Sequence, residues 1–208
     1  MGGSKLTPET KSAIAMAGLC LFMGPFVFLL VFSGRTDPLA GLGFREPMAN
    51  TALAWLAGLA VAAAYIVFCT RMPAVKAWLF RPHPLKFLAL VLAVLAATLE
   101  EIAFRRLLMD WLERSGSGAA VQVLVSGVGF GFAHIVWGGL KGSWTAALGS
   151  IAATSVLGLG LAIVYLLGNR ALAPCIMSHF MVTALIEPGL LIAAFSGQLG
   201  VGPPPDRS

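Results

Sequence analysis

The chain has 208 residues, of which 58% are hydrophobic and only 11% charged, and a formal net charge of +5. A soluble domain carries about 25% charged residues, so the composition excludes a water-soluble globular core and leaves a single polytopic membrane domain. The basic excess lies in short loops rather than in a stripe, which fits attraction to anionic lipid and not a nucleic-acid footprint.

Met1 to Lys11 is short and polar. The apolar run after it is too long for a signal peptide and lacks a small-residue cleavage pattern. Six helices follow, because backbone crossing lipid must satisfy its own hydrogen bonds and a run of about 20 apolar residues spans the hydrocarbon. They are expected over Ser12 to Phe32, Thr51 to Cys69, Leu85 to Leu112, Gly118 to Trp137, Trp144 to Leu167 and Leu172 to Phe195, an all-α membrane bundle. Residues 1–84 form a polar start and two accessory helices, 85–195 the core, and 196–208 an irregular tail with Gly202-Pro203-Pro204-Pro205. No internal repeat is evident. Gly127 with Gly131, and Gly149 with Ala153, make small faces for close helix packing. Cys20, Cys69 and Cys175 lack CxxC spacing, so no disulfide framework is expected. The loop from Arg71 to Lys86 holds four basic residues and no acid, which favours both termini on the cytoplasmic side of a cell membrane.

The chemistry concentrates in Leu99-Glu100-Glu101-Ile102-Ala103-Phe104-Arg105, which directly follows an apolar helix. Each charge at a bilayer centre costs about 2.5–3.5 kcal/mol, so intramembrane ionisable groups are functional-site candidates. Glu101 and Arg105 are four apart and share a face, as a structural pair or as part of a site. Glu100 points a quarter turn away and has no partner on its own helix, which suits a general base. His134, one turn after Phe130, and His179 both lie inside apolar stretches. Each is either a satisfied core histidine or part of an acid/base set with Glu100. Cys175 and Thr183 flank His179 by one turn. Cys175 is a small buried apolar residue or, with His179, a thiol nucleophile pair. Glu187, before Pro188 and Gly189, is expected at a helix break.

Glu100-Glu101-x-x-x-Arg105, then Phe130-x-x-x-His134, then His179 on a later helix, resembles the CPBP (or ABI) family of intramembrane proteases, which includes CAAX prenyl endopeptidases and proteins linked to bacteriocin processing. The resemblance covers about Leu85 to Phe195, the last four helices, as a four-helix catalytic core. It implies that Glu100 activates the attacking water, that His134 orients it, and that His179, with a residue one turn later, stabilises the oxyanion. Glu101 and Arg105 complete the first motif and hold its geometry, with Phe130 beside the site. It favours a mechanism without a metal. A zinc set of Glu100, His134 and His179 is the other option, although no His-x-x-x-His or His-Glu-x-x-His spacing is present.

The family's third motif commonly ends in Asn or Asp, where this chain has Thr183, a weaker oxyanion donor. A second tension is depth. Centring each helix in the bilayer separates His134 from Glu100 and His179 by about 10 Å, so tilt, a projecting third helix or a break near Pro174 is needed to bring them together. The expected activity is endopeptidase cleavage of a membrane-associated peptide or protein tail. The alternatives are a Cys175/His179 thiol protease or sorting transpeptidase, and a non-catalytic bacteriocin-immunity or scaffold protein.

Overall fold

Proline and short polar side chains set the helix starts. In the computed structural model, which describes residues 6–33, 37–45, 48–136 and 144–198, α1 (Pro8–Phe32) begins where the Thr7 hydroxyl accepts from the Thr10 amide. α2 (Pro38–Gly41) is capped by Asp37, whose carboxylate also pairs with Arg45 at 3.0 Å. α3 (Met48–Cys69) leads to the short α4 (Pro73–Trp78). α5 (Pro84–Glu101) starts on His83, whose Nδ1 accepts from the Leu85 amide at 3.2 Å. The third histidine of the chain is therefore a helix cap, with its ring edge-on to Trp78. Each of these helices except α3 has proline in its first turn, where the missing N–H costs nothing.

After Glu101 the helix widens into a π-helical segment, Ile102–Met109, and then tightens into α6 (Asp110–Arg114), giving one apolar run over Pro84–Arg114. α7 (Ala119–Ala133), α8 (Trp144–Leu167) and α9 (Ala173–Phe195) complete the bundle. No strand occurs among the described residues. Five runs are long and apolar enough to cross a membrane, and α7 is a shorter apolar helix. The protein is an all-helical, multi-pass membrane protein. The expected end of the fourth helix at Trp137 and the tail from residue 199 lie outside the described residues.

Four elements differ from the sequence expectation. α2 and α4 are short helices inside stretches read as loops. The π-helical turns leave no signature in composition or period. α9 runs without interruption through Pro188, so Glu187 sits in a continuous helix rather than at a break. Pro188 lacks the N–H that would bond the Ala184 carbonyl, yet the helix continues past it. The adjacent Leu185 carbonyl accepts from Lys86 Nζ at 2.8 Å.

Glycine sets the tightest contact. A Cβ on Gly131 would run into Ser155 and come within 2.6 Å of the Ile151 carbonyl, and one on Gly127 would meet the Leu159 amide at 2.7 Å. The Gly127–Gly131 face is therefore the α7–α8 seam. Among the described residues nothing lies within 4 Å of a Cβ placed on Gly149, so the expected Gly149–Ala153 face finds no partner there among them.

α9 is the most enclosed span, with α3, α4, α5 and α8 against it. Gly58 of α3 approaches the Pro174 carbonyl and Ser178 of α9, so the second helix lies directly behind the segment that carries His179. At the far end a polar clamp ties the segments together. Arg170 bonds Asp110 at 2.7 Å, Gln122 at 2.8 Å and Glu113 at 2.8 Å, and the Tyr165 hydroxyl donates to Asp110 at 3.0 Å. Arg170 and Asn169 both hold positive φ, 65° and 51°, in the turn that presents the guanidinium.

Candidate active site

Glu100 and Glu101 end α5 facing different neighbours, as 100° per residue requires. Glu101 is fully buried. Its Oε1 accepts from His179 Nδ1 at 2.8 Å, and its Oε2 lies 3.0 Å from Arg105 Nε, an ion-pair contact without hydrogen-bond alignment. Arg105, also fully buried, donates from Nη2 to the Gly158 carbonyl at 2.9 Å and lies over the Phe130 ring at 5.0 Å. The Glu101–Arg105 pair expected from spacing is present, and it reaches three further helices.

The π-helical turns begin between the two glutamates and Arg105. Such turns loosen the regular i→i−4 ladder and are frequent at functional sites. Here Ser126 of α7 donates to the Phe104 carbonyl at 3.0 Å, which anchors the widened segment to α7.

His134 forms the C-terminal cap of α7. Its Nδ1 bonds the Phe130 carbonyl at 2.8 Å, and Ser150 donates to its own carbonyl at 3.3 Å. A carbonyl can only accept, so Nδ1 carries the proton there. His134 Nε2 then points to Glu100 Oε2 at 3.8 Å, and His179 Nε2 points to the same oxygen at 3.9 Å. Glu100 Oε2 is buried and has no hydrogen-bond partner. Phe130 supports both imidazoles, with ring centroids 4.7 Å from His134 and 5.4 Å, edge-on, from His179.

The depth conflict disappears in this arrangement. α5 through α6 and α7 form a hairpin about Ser115 to Gly118. By ideal rise, about 21 Å of helix separates Glu100 from Arg114, and about 22 Å separates Ala119 from His134. Equal arms put the two residues level. Of the routes the sequence left open, the long third run, Pro84–Arg114, with its hairpin is enough to bring the two residues together. Pro174 lies in the first turn of α9 and breaks nothing.

Cys175 is not brought to His179 as a thiol partner. It is buried, its thiol donates to the Leu161 carbonyl at 3.4 Å, and both ring nitrogens of His179 face glutamates. Thr183 is buried one turn beyond His179 and enters no hydrogen bond among the described residues. Among the described residues no group of three or more His, Cys, Asp or Glu is placed to hold a metal ion. The Arg170 clamp was missed in the sequence, since its members are scattered and only Asp110 and Glu113 sit near a recognised motif.

A helical membrane bundle that gathers two glutamates, an arginine and two histidines around one orphaned carboxylate oxygen belongs to the class of membrane-embedded hydrolases. The family described as type II CAAX prenyl endopeptidase Rce1-like matches residues 82–185, half of the chain. The chain belongs to that family and is a peptidase, an intramembrane endopeptidase of the CAAX type. No curated protein and no solved structure matches it.

Proposed function

We propose that the protein hydrolyses a peptide bond in a membrane-associated peptide or protein tail, with Glu100 as the base that activates water. The observation that carries this reading is the buried, unpartnered Glu100 Oε2 with an imidazole Nε2 at 3.8 Å on one side and 3.9 Å on the other. These distances are too long for direct hydrogen bonds and suit a water shared between the groups.

The chemistry follows from the partners. In this reading His134 acts as the tautomer with its only proton on Nδ1, bonded to the Phe130 carbonyl, and its Nε2 lone pair accepts one water hydrogen and orients the molecule. Glu100 takes the other hydrogen as the water oxygen attacks the scissile carbonyl. His179 is held by Glu101, which is itself balanced by Arg105. With a second proton on His179, the set of two carboxylates, one guanidinium and one imidazolium sums to zero charge. His179 Nε2–H then donates to the developing oxyanion in a site where such a donor counts for far more than in water. Thr183 adds one hydroxyl donor from the next turn. Glu100 returns its proton to the leaving amine.

No step in this scheme needs a metal. The arrangement of lysine and arginine supports both termini in the cytoplasm, and the core of residues 85–195 holds every reacting group. The test is cleavage of membrane-anchored reporter peptides by wild type, Glu100→Gln and His134→Ala in liposomes, with and without chelator. Loss of cleavage in both folded variants and indifference to chelator support the reading. Reversible loss with chelator overturns the metal-free scheme.

A further inference from the structure

A third carboxylate faces this site and the scheme above does not use it. Glu187 lies on α9 one turn beyond Thr183 and two turns beyond His179, half-buried in a continuous helix. It is within electrostatic range of Glu100 and His179, and of Tyr65 on α3. It forms no ion pair among the described residues. The Lys86 ammonium, which reaches α9 two residues before Glu187, donates to the Leu185 carbonyl at 2.8 Å.

The charge sum makes this carboxylate significant. Glu100, Glu101, Arg105 and a doubly protonated His179 are already neutral together, so an ionised Glu187 leaves the interior one negative charge in excess. An enclosed, unpaired carboxyl either holds a proton or ionises against a cation that reaches it. The complement absent from the chain is one positive charge, delivered from outside the bundle.

We propose that Glu187, with Tyr65 opposite, is a specificity subsite that reads a lysine or arginine side chain of the substrate. This inference rests on Glu100 and His179 marking the scissile bond. Two helical turns place Glu187 about 12 Å from His179 along α9, which an extended peptide covers in about three to four residues. The basic side chain therefore lies within four residues of the cleaved bond.

The test moves a single lysine through the four residues on either side of the cleaved bond in otherwise neutral, membrane-anchored fluorescent peptides. Binding is measured by anisotropy in liposomes, in a His134→Ala background that slows cleavage and leaves this charge sum intact. At one position lysine tightens binding about tenfold or more, Glu187→Gln abolishes that gain, and Glu187→Lys transfers the preference to glutamate at the same position. A flat scan, or a lysine preference that survives Glu187→Gln in protein with unchanged melting, overturns the subsite. Cleavage retained in Glu100→Gln overturns the catalytic scheme instead, and the two failures are read separately.

Discussion

His179 Nδ1 lies 2.8 Å from Glu101 Oε1, joining α9 to the end of α5 through two fully enclosed side chains. The bond fixes which nitrogen of His179 faces Glu100. Because the other oxygen of Glu101 faces Arg105 at 3.0 Å, one carboxylate balances a guanidinium and orients an imidazole. Removing one member of such a buried set leaves the others uncompensated, at a cost of about 3–5 kcal/mol.

Glu101→Gln is therefore expected to lower thermal stability in detergent strongly as well as to abolish cleavage. Glu100→Gln, which changes an oxygen that has no partner, is expected to leave melting near wild type while abolishing cleavage. Parallel melting and cleavage assays separate the two glutamates. Equal melting losses would contradict the division of labour between them.

His134→Ala tests the water-orienting role. The residue caps α7 and is partly exposed, so truncation removes little packing. The expected result is a loss of about 10²–10⁴ in kcat with a small change in melting. His134→Gln is expected to recover little, since its amide cannot reproduce a bare imidazole nitrogen held by a backbone carbonyl.

Much of this site is legible in the sequence, for a definite reason. Glu100, Glu101, Arg105, His134 and His179 stand out because charge is scarce in the chain, and the four-residue spacing places Glu101 beside Arg105 without further information. What the sequence hides is long-range. That Gly158 offers its carbonyl to Arg105, and that Arg170 gathers Asp110, Glu113 and Gln122, depends on how helices cross. The depth problem came from treating each helix as centred in the bilayer. A hairpin turn at Ser115 to Gly118 instead levels residues by their distance from the turn.

That hairpin makes the Arg170 clamp consequential for activity. Arg170→Ala removes the bonds to Asp110, Gln122 and Glu113 that hold α6 to α7 and to the turn before α9. The clamp is partly exposed, so a stability loss of only about 1–2 kcal/mol is expected. Cleavage should fall further than melting implies, because the level of Glu100 against His134 is no longer fixed. Arg170→Lys should rescue poorly, since an ammonium cannot reach three acceptors with the guanidinium's fork. Melting and kcat measured together check both statements.

The α7–α8 seam gives a packing test with an internal control. Gly131→Ala places a methyl against Ser155 and within 2.6 Å of the Ile151 carbonyl. Overpacking of this kind costs about 1–3 kcal/mol, and the displaced helix carries His134. Gly149→Ala, on the same pair of helices but in open space, should be neutral in melting and in cleavage. A neutral Gly131→Ala would mean that the seam is looser than its backbone contacts imply.

The proposed mechanism gives Thr183 a share in holding the oxyanion. It is buried beside His179 with its hydroxyl uncommitted among the described residues, which leaves that donor for the substrate. Thr183→Val keeps the shape and deletes the donor. Losing one oxyanion donor costs about 10²–10³ in kcat in sites built on such donors. A hydroxyl that shares the task with His179 should sit at the low end of that range, with KM little changed. Thr183→Asn supplies an amide with greater reach and two hydrogens, so kcat should rise above wild type if the short hydroxyl limits the reaction. If Thr183→Val leaves kcat unchanged, His179 holds the oxyanion alone and Thr183 is there for packing.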